Sequence, residues 1–177
     1  MQTKLVSYVK RKNVQSANKM KDIIKSVHII LKEEKELNEE ELQLVKAAKE
    51  ATFRSYAPYS HFHVGAAALL NNGEIITGSN QENCAYPSGL CAERTTLFYA
   101  NSRYPDVPVK RLCIAARGTS GEFTQAPISP CGACRQVMTE TEHRFGVPMQ
   151  VMLYGTEGIY FIESARDLLP VVFEAIE

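Results

Sequence analysis

The chain has 177 residues, of which 45% are hydrophobic, and its 20 basic and 20 acidic side chains give a formal net charge of zero. That length and apolar content are enough to bury the core of one domain without cross-links. The sequence has no run of the roughly 18 apolar residues that cross a membrane, and its N-terminus lacks the apolar segment of a signal peptide. We therefore expect a soluble, cytoplasmic protein.

The charges are unevenly distributed along the chain. Residues 1–25 contain seven basic side chains and one acidic side chain, so this segment carries a charge of +6 and the remainder carries −6. Proteins that follow a phosphate backbone need clustered Lys and Arg on the body that binds it. The acidic body therefore argues against nucleic acid as a partner and favours a small-molecule substrate.

Five cysteines are present, an odd number, and nothing in the sequence marks secretion. Structural disulfides are typical of secreted domains, whereas thiols inside the cell stay reduced. We therefore expect free cysteines that serve thiolate chemistry or bind a metal.

Residues 1–37 are predicted to form a basic extension in front of one folded domain at residues 38–177. Residues 1–20 show no periodicity. Residues 23–31 alternate apolar and polar side chains, which indicates one additional strand, although Lys25 interrupts the apolar face. Three roles stay open for the extension: it adds a strand, contacts another subunit, or remains unstructured.

The folded domain is predicted to begin with a helix and a hairpin. Asn38 is a favourable N-cap, and Glu41 three residues later completes a capping box, so a helix is expected from residue 39 to about residue 55. Residues 63–71 and 74–79 have strand patterns and are joined at Asn72-Gly73, a strong hairpin signal. These two strands should pair antiparallel.

The remaining segments alternate helices and strands. The patterns predict a helix at 91–101, a strand at 111–116, a helix at 131–144 and a strand at 150–154. A last strand at 159–163 follows after four residues, too few for a parallel crossover, so it should run antiparallel, and Ser164 should cap a short closing helix. The expected fold is α/β, a three-layer αβα sandwich with a five-stranded mixed sheet.

Three cysteines have the spacing of a metal site. Cys131 and Cys134 are three residues apart at a predicted helix start, where both sulfurs can face one point. Cys91 opens another helix in the same way, and the partial positive charge of a helix N-terminus favours the thiolates that bind zinc. Three protein ligands leave the fourth position open, as in catalytic zinc sites.

A base and two cations accompany these cysteines. Zinc lowers the pKa of bound water towards about 7, and a base must still carry the proton away. Glu93, two residues after Cys91, is the candidate for this role. Because three thiolates give the site a net negative charge, Arg94 and Arg135 are expected to offset that charge from beside the metal.

Two other interpretations of the cysteines stay open. The Cys-Gly-Ala-Cys segment at 131–134 also resembles a redox dithiol of the thioredoxin type, which would leave Cys91 and Glu93 without a role. A structural zinc site would take a histidine as its fourth ligand; the histidines considered are His61, His63 and His143. The other cysteines, Cys84 and Cys113, are expected to be small buried apolar groups.

The segments Cys-Ala-Glu-Arg at 91–94 and Pro-Cys-Gly-Ala-Cys-Arg-Gln at 130–136 together resemble the small zinc-dependent cytidine deaminases, and the resemblance extends over about residues 40–173. It implies Zn²⁺ as cofactor, hydrolytic deamination of cytidine and 2′-deoxycytidine in pyrimidine salvage, and a homotetramer whose neighbouring subunits complete each site. It also implies the roles of Glu93 as the proton shuttle and of Cys91, Cys131 and Cys134 as ligands, in line with the zinc deaminase template.

The resemblance further implies the residues that bind the nucleoside. Asn80 and Glu82 would bind the ribose hydroxyls, because alternate residues of an extended segment share one face. Phe62, in the segment Pro-Tyr-Ser-His-Phe at 58–62, would stack on the pyrimidine. Without the resemblance, a polar loop and a core aromatic would be ordinary interpretations of these residues. The remaining implied substrate contacts are Ala92, Tyr86 and Phe173, the last two reaching across from neighbouring subunits.

Two rival functions stay open at this point. One is the same chemistry on a free base, a modified nucleoside or a nucleotide, which a test of cytidine against cytosine and the monophosphate separates. The other is a binding or scaffolding protein with structural zinc, which would show no deamination.

Overall fold

Six strands form one mixed sheet in the computed structural model, which describes residues 22–174. In chain order they are β1 (Ile30–Lys32), β2 (His63–Leu70), β3 (Ile75–Ser79), β4 (Val109–Arg117), β5 (Gln150–Gly155) and β6 (Gly158–Ile162). Their order across the sheet is β1-β6-β5-β4-β2-β3. The prediction for residues 1–20 lies outside the described residues.

Only β4 and β5 pair in parallel, and the other neighbours are antiparallel. The predicted hairpin of β2 and β3 is confirmed, and Gly73 adopts the positive φ of 86° that its turn requires. The last strand β6 runs antiparallel to β5, as the short connection of residues 155–158 predicts.

The expected count of five strands is wrong, because β1 adds a sixth at the edge of the sheet. Ile30 pairs with Phe161 and Lys32 pairs with Ile159, both on β6. Of the alternating segment at 23–31, only Ile30 and Leu31 form a strand, together with Lys32. The extent of such a strand depends on where β6 offers free backbone groups, and this tertiary contact has no periodic signature in the sequence.

Three helices cover the sheet: α1 (Glu39–Ala51), α2 (Ala92–Arg103) and α3 (Gly132–Phe145). The predicted capping box starts α1, since Asn38 Oδ1 accepts from Glu41 N at 2.9 Å and Glu41 Oε2 accepts from Asn38 N at 3.1 Å. α1 ends earlier than expected and continues as a short 3₁₀ turn at Thr52–Arg54. Ser164 caps another 3₁₀ turn at Ala165–Leu168, in the place of the predicted closing helix.

The sheet buries a separate apolar core on each face. Along β2, Ala66, Ala68 and Leu70 pack with α2 and α3, whereas Ala67 and Leu69 pack with α1. This alternation is what the two-residue period of a strand buried on both faces produces. The predicted three-layer αβα arrangement is therefore confirmed.

Close approach of α2 to the sheet depends on Gly78 of β3. A Cβ at this position would lie 2.6 Å from Thr96 Oγ1 and 2.8 Å from Thr96 N, too close for any side chain. The contact fixes α2 directly against the strand that leads into it. None of the helices between residues 22 and 174 combines the length and the apolarity that crossing a bilayer requires.

Candidate active site

The first turns of α2 and α3 meet at one end of the sheet. β3 and β4 both run antiparallel to β2, so their C-terminal ends lie at the same end of the sheet. The loop after β3 leads to α2, and the loop after β4 leads to α3. Cys91 and Cys131 are the N-cap residues of these two helices. Residues 40 positions apart in the sequence are thereby brought together.

The three cysteine sulfurs form a compact cluster. Cys91 Sγ lies 3.9 Å from Cys131 Sγ, and Cys131 Sγ lies 3.4 Å from Cys134 Sγ. All three sulfurs lie within 4.8 Å of one another. Sulfurs that bind a tetrahedral zinc at about 2.3 Å are about 3.8 Å apart, so both the spacing and the all-sulfur donor set fit Zn²⁺.

The competing interpretations of these cysteines lose support from the geometry. A redox dithiol needs only two sulfurs. Here Cys91 adds a third sulfur, at the distance expected when all three bind one metal ion. In the described part of the chain no histidine joins the cluster. His63 instead shares a hydrogen bond of 2.6 Å between its Nδ1 and Ser55 Oγ, and His143 is exposed near the end of α3.

The electrostatic environment of Cys91 favours the thiolate. The neighbouring Cys134 thiol, with the nearby Arg94 guanidinium, lowers the pKa of Cys91 to about 5. Arg94 Nη2 donates to Cys91 Sγ at 3.6 Å. The proximity of Cys91, together with burial, raises the pKa of Cys134. The cluster therefore holds negative charge that Arg94 partly offsets.

Arg135 does not offset the charge of the cluster, although it was predicted to lie beside the metal. Its Nε donates to Pro130 O at 2.8 Å and its Nη1 donates to Leu168 O at 3.0 Å. Arg135 thus ties the start of α3 to the C-terminal 3₁₀ turn. Of Arg94 and Arg135, only Arg94 hydrogen-bonds to the sulfur cluster.

Glu93 lies in the first turn of α2 and is 5% exposed. Burial raises the pKa of its carboxyl group, and the negative charge of Cys91 adds to the increase. A carboxyl group withdrawn from water in this way can carry a proton that an exposed glutamate would release at neutral pH. Its neighbour Ala92 is completely buried.

A cleft of about 350 Å³ opens beside the cluster, within the size range of small-molecule sites. It is lined by Tyr59, Asn80, Gln81, Glu82, Asn83, Tyr86, Gly89, Leu90, Cys91 and Arg94. The structure therefore brings Asn80, Glu82 and Tyr86 to the same cleft as Cys91. The predicted site residues that do not line the cleft are Phe62, Ala92, Glu93, Cys131, Cys134 and Phe173.

Asn80 and Glu82 hold the loop in front of β2. Asn80 Oδ1 accepts from Val64 N at 2.8 Å, and Asn80 Nδ2 donates to Phe62 O at 2.9 Å. Glu82 Oε2 accepts from Tyr59 N at 2.9 Å, and Glu82 Oε1 accepts from Ser60 Oγ. The hydrogen bond from the Ser60 hydroxyl is the main reason that the pKa of Glu82 is lowered.

The two residues expected to reach across subunits are solvent-exposed. The exposed fraction is 80% for Tyr86 and 78% for Phe173. Tyr86 makes an edge contact with the ring of Tyr59 at 6.3 Å. The backbone of Phe173 is tied to α3 through both amide atoms of Gln136.

Sequence reasoning assigned no role to five residues that line the cleft, which are Tyr59, Gln81, Asn83, Gly89 and Leu90. It also missed Ser60, whose hydroxyl donates to Glu82. Tyr59 and Ser60 belong to the segment that suggested Phe62, and Leu90 precedes Cys91, so proximity to the motifs was the available signal.

The expectation for the two remaining cysteines holds for one of them. Cys113 is completely buried in β4, and burial raises the pKa of its thiol to about 12. Cys84 is exposed, so the prediction of a buried side chain was wrong. It lies in the loop between β3 and α2, which packs little against the core.

Comparisons with known proteins agree with this geometry. Residues 38–147 match the family model described as the cytidine and deoxycytidylate deaminase zinc-binding region. The cytidine deaminase of Halalkalibacterium halodurans is 39% identical over 75% of this chain and 92% of its own length. That of Sporosarcina psychrophila is 45% identical over 74% of this chain and 89% of its own length.

Solved structures show the same similarity in three dimensions. The crystal structure of the cytidine deaminase from Burkholderia pseudomallei superposes with a TM-score of 0.64 at 40% identity, covering 75% of this chain and 98% of that one. The cytidine deaminase from Mycobacterium tuberculosis gives a TM-score of 0.59 at 30% identity, covering 76% and 97%. The family model covers more than half of the chain, and the chain belongs to the cytidine and deoxycytidylate deaminase family.

Proposed function

We propose that the protein removes the amino group of cytidine and 2′-deoxycytidine by hydrolysis, giving uridine or 2′-deoxyuridine and ammonia. The observation that carries the proposal is the three-sulfur cluster of Cys91, Cys131 and Cys134, which lies beside the buried Glu93 and opens into a cleft containing Asn80 and Glu82. Similarity to proteins named cytidine deaminases supports the choice of substrate.

Cys91, Cys131 and Cys134 would hold Zn²⁺. When bound, the ion supplies a Lewis acid that makes water a nucleophile near neutral pH. Arg94 donates to Cys91 Sγ and so withdraws negative charge from the ligand set. This preserves Lewis acidity that three thiolates would otherwise weaken.

Glu93 is the group that moves protons. Its carboxylate takes a proton from the attacking water and delivers one to N3 of the pyrimidine as C4 becomes tetrahedral. It then takes the proton of the new C4 hydroxyl group and transfers it to the amino group, which leaves as ammonia while the C4 carbonyl forms. The buried position of Glu93 keeps these transfers away from bulk water.

The remaining wall of the cleft would bind the nucleoside. A carboxylate offers about four acceptor positions and an amide group two donors and two acceptor positions, so Asn80 and Glu82 have capacity left for one hydroxyl each beside their loop contacts. Phe62, half-buried after that loop, would stack on the base. Ala92, between Cys91 and Glu93, would complete the contacts to the pyrimidine.

We further assign a homotetrameric state, with Tyr86 and Phe173 entering neighbouring sites. Both aromatic rings are exposed in the single subunit and so are free to contact a neighbouring one. Sedimentation velocity would measure the state. A role in pyrimidine salvage and a cytoplasmic location follow from the proposed activity, and the five free thiols are consistent with a reducing compartment.

The decrease in ultraviolet absorbance that accompanies deamination tests the activity directly. Turnover of cytidine should exceed that of cytosine and of cytidine monophosphate, and a chelator should abolish it. Preference for the free base or the monophosphate would mean that the protein carries out the same reaction on that substrate and not on the nucleoside. Zinc content without any deamination would instead indicate a structural zinc protein.

A further inference from the structure

The loop of residues 57–62 ends in an unfavourable backbone conformation. His61 has a φ of 54°, the only positive φ of a non-glycine residue between residues 22 and 174. Such a conformation costs free energy and persists only where neighbouring groups hold it. The residues on either side of His61 should therefore be anchored, and Phe62 is the next residue.

Ser60 provides the anchor on the N-terminal side. Its hydroxyl donates to Glu82 Oε1 and accepts from Phe62 N at 3.1 Å, so one side chain bridges His61. Glu82 Oε2 also accepts from the backbone N–H groups of Tyr59 and Ser60, at 2.9 and 3.3 Å. The carboxylate thus holds the loop, and Ser60 connects the carboxylate to Phe62.

Asn80 holds Phe62 from the other side. Its Nδ2 donates to Phe62 O at 2.9 Å, and its Oδ1 accepts from Val64 N at 2.8 Å. Both main-chain polar groups of Phe62 are therefore bound by side chains, the N–H by Ser60 and the C=O by Asn80. A continuous chain of hydrogen bonds runs from Glu82 through Ser60 and Phe62 to Asn80.

We propose that Ser60 is a positioning residue that couples sugar recognition by Glu82 to the placement of Phe62 beside the base. The inference rests on the proposed function, because Glu82 and Phe62 take their ligands from it. Ser60 itself is not among the residues that line the cleft. Its hydroxyl keeps one carboxylate oxygen directed at the loop and leaves the remaining acceptor capacity for the sugar.

Removing the hydroxyl breaks two contacts at once. In Ser60→Ala the Glu82 carboxylate loses a charge-assisted hydrogen bond and can rotate, and Phe62 N–H loses its partner. A sugar hydroxyl would then meet a less ordered acceptor. The preference for a sugar with hydroxyl groups over one without them should fall, by roughly tenfold for the loss of one such contact.

Calorimetric titration of the zinc-loaded protein with uridine and with 2′,3′-dideoxyuridine measures this preference without turnover. The ratio of the two dissociation constants should fall about tenfold in Ser60→Ala and stay close to that of the wild type in Ser60→Thr, which keeps a hydroxyl. Ser102→Ala is the matched control, since Ser102 is exposed on α2 and makes no side-chain hydrogen bond within residues 22–174. It should leave the ratio unchanged.

An unchanged ratio in Ser60→Ala would overturn the proposal, whatever the effect on thermal stability. Because the dissociation constants do not depend on the fraction of active protein, partial misfolding does not imitate the expected result. If the alanine variant fails to fold, Ser60→Cys replaces it, with a weaker donor and a smaller decrease. A wild type that does not distinguish the two ligands would also refute the coupling.

Failure of the proposed function gives a different pattern. Uridine binding that depends on Ser60 in a protein that does not deaminate cytidine would refute the activity and leave the positioning role in place. Deamination with a ratio insensitive to Ser60 would support the activity and refute the positioning role.

Discussion

The two sides of the cleft are built in different ways. The metal wall is the sulfur cluster of Cys91, Cys131 and Cys134 together with Arg94, at the first turns of two helices that start at the same end of the sheet. Cys91 and Arg94 are its members that line the cleft. The sugar wall consists of Asn80, Glu82 and the loop of residues 57–62, held together by side-chain hydrogen bonds. The metal wall is thus fixed by packed helices, whereas the sugar wall depends on a polar network at the surface.

This difference predicts how the two walls respond to substitution. A change at a sulfur ligand, or at Glu93 beside the metal wall, removes a ligand or a proton carrier whose function no neighbour can replace. A change in the sugar wall removes one of several contacts that share the same work. Effects on activity should therefore be near-complete on one side and graded on the other.

Loss of a sulfur ligand should have the largest effect. Cys131→Ala leaves two sulfurs, so we expect less than one zinc per subunit by elemental analysis and no measurable deamination. The matched control is Cys113→Ala, which removes a fully buried thiol outside the cluster. That variant should lose some thermal stability and keep its zinc. Full zinc occupancy in Cys131→Ala would refute the assigned ligand set.

Glu93→Gln should separate chemistry from metal binding. The amide has nearly the same shape but cannot accept and return a proton, so kcat should fall by roughly 10²–10⁴-fold, the usual contribution of general acid–base catalysis. Zinc content and uridine affinity should stay near the wild-type values. Substantial deamination by this variant would contradict the role of Glu93 as the proton carrier.

The sequence revealed the metal wall more completely than the sugar wall for a physical reason. Cys131 and Cys134 lie three residues apart on one helical turn, and a helix start imposes that geometry locally. Cys91 could be assigned to the same site because it begins the Cys-Ala-Glu-Arg segment at the start of another predicted helix. The contacts of Ser60 with Glu82 join residues 22 positions apart, and no local periodicity encodes them.

The same reasoning explains the errors in the fold. The hairpin turn at Gly73 and the capping box at Asn38 are local and were predicted correctly. The pairing of Ile30–Lys32 with β6 is a contact between distant segments, and it produced a sixth strand. Cys84 was expected to be buried because cysteine usually is, but burial is decided by the packing of its loop.

Glu82→Gln tests whether the sugar wall gives graded effects. The amide keeps one acceptor oxygen, so the variant should lose part of the charge-assisted bonding to the loop and to the sugar, and kcat/KM for cytidine should fall roughly tenfold. Turnover of free cytosine, which has no sugar, should fall less, because it responds only to the weakened support of Phe62. Glu122→Gln, at an exposed position in the loop after β4, should match the wild type with both substrates. Equal losses for cytidine and cytosine would argue against sugar recognition by Glu82.

A substitution outside both walls should change stability without changing activity. Lys32, on β1, lies 3.3 Å from the buried carboxylate of Glu41 and 4.1 Å from the centre of the Phe161 ring. Since Glu41 is 5% exposed on its side chain and also contacts Arg111 at 3.8 Å, it keeps one cation when Lys32 is replaced.

Lys32→Ala should therefore lower the free energy of unfolding by about 1 kcal/mol, more than an exposed pair but less than a fully buried one. Lys35→Ala is the control. Lys35 lies 2.6 Å from Glu33, but both side chains are largely exposed, so this ion pair should contribute almost nothing to the free energy of unfolding. Thermal unfolding with matched kcat/KM measurements compares the two. If Lys32→Ala lowers activity at full zinc occupancy, β1 influences the geometry of the cleft. The edge strand would then contribute to catalysis and not to stability alone.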